Sequence, residues 1–187
     1  MYADGNVATK TNVITLSLKK DDYEHLKKFK DFLKCKINIL DGNVKINNKT
    51  YSFCRLCICD KYFKQRLIDL GCIPQKTLKL TFPNVDIFKD KRLIYDFIRG
   101  YVDGDGCLTF SRSGRLSITI VGTESFLKSI QSIFSEEFKI CKIKKSSVFQ
   151  LYCTGDKADN VANILYKNAN IYLNRKYNRF VVLCRNT

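Results

Sequence analysis

Histidine is almost absent from this chain, with a single residue, His25, among 187. That shortage argues against a histidine-based nuclease or a Ser-His hydrolase. Acidic residues are also few, 18 against 33 lysines and arginines. No apolar run is long enough to span a bilayer, and no apolar leader opens the chain, so an intracellular protein without a membrane partner is expected. Cysteine is plentiful, but the count of nine is odd. The one cluster, Cys54, Cys57 and Cys59, has no second pair at zinc-ribbon spacing. In a strand over 51–59, Cys57 and Cys59 fall on one face and Cys54 on the other, so small free thiols are expected rather than a zinc site.

The chain does contain enough apolar residues, 45%, with 12% aromatics, to bury a core in one domain or two small ones. Its formal charge is +15 and its pI near 9.4. A surplus that large repels itself unless a polyanion is present, which makes nucleic acid the expected partner.

The stretch around which the rest is organised is FIRGYVDGDG, residues 97–106. Leu93, Ile94, Phe97, Ile98 and Tyr101 recur at helical spacing and Asp90 stands where an N-cap belongs, which predicts a helix over 91–102. Asp103-Gly104-Asp105-Gly106 is expected to stop it, because glycine weakens a helix interior. Two carboxylates then lie at the partially negative end of a helix, where a cation must offset them. A hard divalent ion taking the Asp105 carboxylate and the Gly104 carbonyl is one solution; a solvated Asp-Gly turn is the plain alternative.

The start of the chain repeats this pattern in brief. Tyr2-Ala3-Asp4-Gly5 matches the end of the motif, and the elements after Asp4 run in the same order as those after Asp105. In the first half come a short strand over 6–9, a turn at 10–12, a strand over 13–18, a helix over 21–33 with Tyr23, Leu26, Phe29, Phe32 and Leu33 as its apolar stripe, an Asp41-Gly42 turn, a strand ending at 54–59, and a helix after Asp60 closed by Gly71. The second half gives strands over 107–110 and 116–120 about a turn at 112–114, a helix over 124–134, a strand over 147–153 and a helix after Asp156. Self-similarity at half the chain length implies a duplication. The halves are expected at 1–84 and 85–187, joined by a linker at 82–86 in which Pro83 bars sheet pairing. The first half lacks an opening helix.

Residues 98–106, IRGYVDGDG, resemble the signature of the LAGLIDADG homing endonucleases. The resemblance implies an α+β fold of two tandem αββαββα repeats whose antiparallel sheets form a DNA-binding saddle, here with the first repeat lacking its opening helix. In that family the signature helices pack on small residues, and Gly100 stands at such a place. The resemblance further implies a site-specific endonuclease that makes double-strand breaks by phosphodiester hydrolysis. Asp105 and Asp4 become its catalytic acids, holding Mg2+ or another divalent cation together with the carbonyls of Gly104 and Ala3. Asp103 belongs to the helix end. A lysine from each half is implied near the cleaved phosphate, for which Lys76 and Lys176 are the candidates. Double-stranded DNA is the implied partner of a monomer with pseudo-twofold symmetry, or of a dimer if the missing helix is supplied in trans. A family member that binds DNA without cutting, or an RNA maturase acting on an intron, is the competing implication.

Alternation assigns the strand faces. With Leu108, Phe110, Leu116, Ile118 and Ile120 inward, Cys107, Thr109, Ser111, Arg115, Ser117 and Thr119 face outward. Asn6, Ala8, Lys10, Thr15, Ser17 and Lys19 occupy the equivalent face of the first half. Such short polar and cationic side chains suit base edges in a major groove, although an ordinary solvated sheet face reads the same way. Arg112 and Arg175 add cations for phosphate, the latter in the basic segment 174–177 that corresponds to 75–79.

Overall fold

The computed structural model describes residues 1–135 and 137–186, the side chains of 185 and 186 excepted. The chain divides into two compact units, Met1–Gln75 and Lys76–Thr187. Each contains one four-stranded antiparallel sheet, and the strand orders, β1-β2-β4-β3 and β5-β6-β8-β7, are the same permutation. The duplication expected from the sequence is therefore present at the level of topology. The division falls nine residues before the expected boundary of 84/85 because Leu80 is buried and the Phe82 ring packs on Phe97 and Phe126 at 5.2 and 5.5 Å, all within the second unit.

In the first unit, β1 (Gly5–Val7) and β2 (Val13–Lys19) lead to α1 (Tyr23–Phe32), then to β3 (Leu40–Ile46), β4 (Lys49–Cys59) and α2 (Lys61–Asp69). The core is made by Leu16, Cys54 and Leu56 of the sheet against Leu26 of α1. Phe32, expected on the buried stripe of α1, is 70% exposed as the last residue of the helix. Asp41 and Gly42 do not form a turn. They lie inside β3, and the reversal is at Asn47 and Asn48, whose φ values of 48° and 62° suit a tight hairpin turn matched to strand twist. Asp60 caps α2 by accepting the Phe63 N–H at 2.7 Å, and Gly71 closes the helix with φ 92°, a conformation only glycine adopts without strain.

The second unit runs α3 (Lys91–Asp105), β5 (Gly106–Phe110), β6 (Leu116–Gly122), α4 (Glu124–Ile133), β7 (Lys139–Lys142), β8 (Phe149–Thr154), α5 (Asp156–Tyr166) and α6 (Asn174–Asn186). Leu108, Leu116, Ile118, Ile120 and Leu151 pack against Phe126, Leu127 and Ile130 of α4 and Val161, Ala162 and Leu165 of α5. Asp90 caps α3 as expected, accepting the Arg92 N–H at 2.9 Å. The far end differs from expectation, since the helix continues through Asp103 and Gly104 to Asp105. The basic segment at 174–177 is likewise helical, forming the first turn of α6.

All nine cysteines are thiols rather than disulfides. Burial pushes the Cys153 thiol up to about 12 and also raises that of Cys54, which fits structural thiols. Cys57 and Cys59 lie on the opposite sheet face from Cys54, and among the described residues no three His, Cys, Asp or Glu side chains are grouped to hold a metal.

Candidate functional site

Each unit carries one acidic turn, built in the same way. The Gly106 N–H donates to the Val102 carbonyl four residues back, and the Gly5 N–H donates to the Met1 carbonyl at 3.1 Å. A Cβ on either glycine would meet that carbonyl oxygen at 2.5 Å. Glycine is required here by close approach of the last helical turn to the first strand. The strands then leave in matching register, Gly5 opposite Leu16 and Gly106 opposite Ile120. Asp4 and Asp105 thus hold equivalent positions, each one residue ahead of the glycine. Asp4 is exposed and Asp105 half-buried, while the adjoining Ala3 and Gly104 are half-buried.

The two acids at the end of α3 are not alike. Asp103 is 4% exposed, and its carboxylate accepts the Tyr166 hydroxyl at 2.8 Å and the Leu173 N–H at 2.9 Å, just ahead of the positive end of α6. One turn earlier, buried Arg99 donates to the carbonyls of Ile171 and Leu165 and to the Asp96 carboxylate. These contacts fasten α3 to the end of α5 and to the segment between α5 and α6. Burial and the Asp103 carboxylate together push the Tyr166 phenol far above its ordinary value, keeping it a donor.

Lys176 is where expectation and structure part. The expected position faces a phosphate, but the side chain is 3% exposed. Its ammonium donates to the carbonyls of Val102, Asp103 and Gly106 at 2.6, 2.7 and 2.6 Å, with Gly104 at 3.5 Å. A lysine has three N–H donors, and three short contacts engage them. The cation that the acidic helix end demands is therefore supplied within the chain, and it explains why α3 continues through residues that disfavour helix. Lys76, the other lysine candidate, lies half-buried in a 3-10 turn, Lys76–Leu78. Sequence reasoning missed Arg99 and Tyr166; apart from Asp96, three residues before Arg99, their partners lie about sixty to seventy residues away and leave no local signal.

The outward sheet faces are as alternation predicted. Cys107 pairs with Thr119 and Thr109 with Ser117, while Asn6 pairs with Thr15. Ser111, Arg112, Lys10 and Arg115 fall in or beside turns, not in strands, and are exposed, as is Arg175. The register adds residues not foreseen. In the second unit Tyr152 stands beside Thr119 and Lys139, and Gln150 beside Cys141. In the first, Arg55 pairs with Ser17, donates to its hydroxyl at 2.9 Å, and holds its guanidinium 4.6 Å over the Phe53 ring. Their signal was available, since each alternates with a buried neighbour: Arg55 with Cys54 and Leu56, and Gln150 and Tyr152 with Leu151 and Cys153.

Two tandem units, each an antiparallel four-stranded sheet backed by helices and opened by an acidic turn, make up the two-repeat α+β fold of the LAGLIDADG homing endonucleases. The I-LtrWI LAGLIDADG homing endonuclease bound to target DNA superposes with a TM-score of 0.62 at 12% identity, over 97% of this chain and 86% of that one. Meganuclease I-SmaMI bound to uncleaveable DNA gives 0.58 at 15% identity, over 98% and 86%. No family model matches the sequence. A curated protein of Methanocaldococcus jannaschii named as a probable phosphoenolpyruvate synthase is 25% identical over 185 residues, which is 94% of this chain and 14% of that protein. This chain thus spans a small part of that relative's length. No helix among the described residues is long and apolar enough to cross a membrane.

Proposed function

We propose that this chain is a site-specific, divalent-metal-dependent DNA endonuclease of the homing type, encoded by a mobile element. The observation that carries the reading is the repeated acidic turn, in which Asp4 and Asp105 occupy the same place ahead of the same close-packed glycine. The fold, the charge of +15 and the polar outer faces of both sheets support duplex DNA as the substrate.

Each turn offers one carboxylate and neighbouring backbone carbonyls. That is too few ligands for a closed protein cage, and it suits Mg2+, which keeps several waters and takes substrate phosphate as a ligand. An ion bound there would supply an activated water and offset charge on the departing oxygen. In the second unit the Asp105 carboxylate and the Gly104 carbonyl would hold it, and in the first unit Asp4 and the Ala3 carbonyl would hold another. Lys176 acts through the helix end, fixing the backbone from which Asp105 projects. Exposed cations such as Arg112, Arg115 and Arg175 meet phosphates and set register, while Thr109, Ser117, Thr119, Thr15 and Ser17 read base edges.

The burial of Lys176 also favours a second reading, a DNA-binding relative that no longer cuts, because a buried lysine whose N–H groups are held by carbonyls does not reach out to a phosphate. Incubation with a randomised duplex library, with magnesium and with a chelator, separates the two. Magnesium-dependent cutting at a preferred sequence supports the endonuclease. Salt-sensitive binding without cutting leaves the binder, and tight binding to structured RNA alone overturns both.

A further inference from the structure

The ribbon formed by β3 and β4 extends beyond the core of the first unit. Every residue from 43 to 52 is exposed, so this part of the hairpin has a packed layer on neither face. Isolated two-stranded ribbons are marginal in water unless one face is covered. Its two faces differ sharply in chemistry. Register places Leu40 opposite Arg55, Gly42 opposite Phe53, Val44 opposite Tyr51 and Ile46 opposite Lys49, all on the face that carries Ser17 and Thr15. Leu40, Val44, Ile46 and Tyr51 are 56, 42, 53 and 48% exposed. The reverse face bears Asp41, Asn43, Lys45, Thr50 and Ser52.

The cover this stripe fits is polyanionic. Lys19, Lys49 and Arg55 share its face, and the one carboxylate among the strands of this unit, Asp41, lies on the reverse side, paired with Lys20. A major groove admits a two-stranded ribbon, and the apolar group it displays is the thymine 5-methyl. Same-face residues recur about every 6.8 Å along a strand, twice the 3.4 Å base-pair rise, so Val44 and Ile46 match methyls about two base pairs apart. Among the described residues the second unit has no comparable apolar ribbon. Its shorter outer strands present Lys139, Cys141, Gln150 and Tyr152.

We propose that the β3–β4 ribbon is a thymine-reading element, with Leu40, Val44, Ile46 and Tyr51 packing on 5-methyl groups, so that one half of the DNA target is thymine-rich where the ribbon reaches and the other half is not. The inference rests on the duplex-binding reading above and goes further by naming the base chemistry of one half-site.

The test is selection of bound duplexes from a randomised library made with thymine and from the same library made with uracil, which lacks only the methyl. The variant Val44→Thr/Ile46→Thr keeps β-branched shape and strand preference. From the thymine library the parent enriches thymine at outer positions of one half-site. Each methyl removed weakens binding about fourfold. That enrichment vanishes with uracil and in the double variant, while preferences elsewhere persist. Binding with preferences that are the same in both libraries overturns this inference alone. So does a finding that the free chain self-associates and the double variant does not, with selection unchanged. Absence of salt-sensitive duplex binding overturns the underlying reading as well.

Discussion

Replacing Lys176 by methionine removes the ammonium and keeps most of the stem volume, which isolates the charge from the packing. In the native protein that ammonium donates at 2.6–2.7 Å to the carbonyls of Val102, Asp103 and Gly106 at the negative end of α3. Hydrogen bonds from a charged donor contribute about 1.5–3 kcal/mol each, against a desolvation cost of several kcal/mol for burying the ion. Methionine relieves the desolvation but takes the charged donor from the Asp103 and Gly106 carbonyls and leaves the helix end uncompensated, while the Val102 carbonyl keeps the Gly106 N–H. The net loss follows the figure for leaving a buried acceptor short of its donor, about 1–3 kcal/mol. Set against typical stabilities of about 5–15 kcal/mol, this is large, and it should appear in urea unfolding of the second unit as a lower midpoint at constant slope. If the variant is within about 0.5 kcal/mol of the parent, the range of ordinary surface substitutions, the capping role is refuted. A stable variant that has lost only cleavage would return Lys176 to the phosphate-facing role.

Gly106→Ala places a Cβ 2.5 Å from a backbone carbonyl and should cost about 1–3 kcal/mol or more, whereas Gly100→Ala, with nothing within 4 Å of its Cβ, should be neutral or stabilising by up to about 1 kcal/mol through helix propensity; paired unfolding curves check both. Alkaline titration should show Tyr2 and Tyr166 as late phenols. Burial raises Tyr2 to about 12, and burial with Asp103 raises Tyr166, so the folded state keeps protons that the unfolded chain releases near pH 10. Their linkage leaves stability intact below about pH 10 and lowers it as pH rises further. Phenolate absorbance followed alongside unfolding tests this, and release of all ten tyrosines near pH 10 in the folded protein would contradict it.

Much of this architecture was legible from local chemistry. Alternation along β5 and β6 assigned both faces correctly, because one face of each strand is buried and a slip of one residue would expose it. The duplication was legible because the two units share turn chemistry, down to the glycine after each acid. The hidden features depend on distant partners. Helix propensity alone ends α3 at Val102, and it is Lys176 and Leu173, some seventy residues on, that hold the next turn in helix. Asp41-Gly42 resembles a turn, but Gly42 serves a different need. Its missing Cβ makes room for the Phe53 ring, whose nearest atom would lie 2.6 Å from an added methyl. The split between the two acids was suggested by resemblance, yet its physical cause, the Tyr166 and Leu173 donors on Asp103, could only be seen in three dimensions.

We propose that the acids of the α3 end divide their work, Asp103 for structure and Asp105 for chemistry. The most direct measurement compares magnesium-dependent cleavage of a randomised duplex library by the parent, Asp105→Asn and Asp103→Asn, with thermal unfolding of each. Asp105→Asn should fold and bind duplex as the parent does and fail to cut, while Asp103→Asn should lose stability first. Cutting by Asp105→Asn at the parental rate would show that Asp105 does not hold the ion.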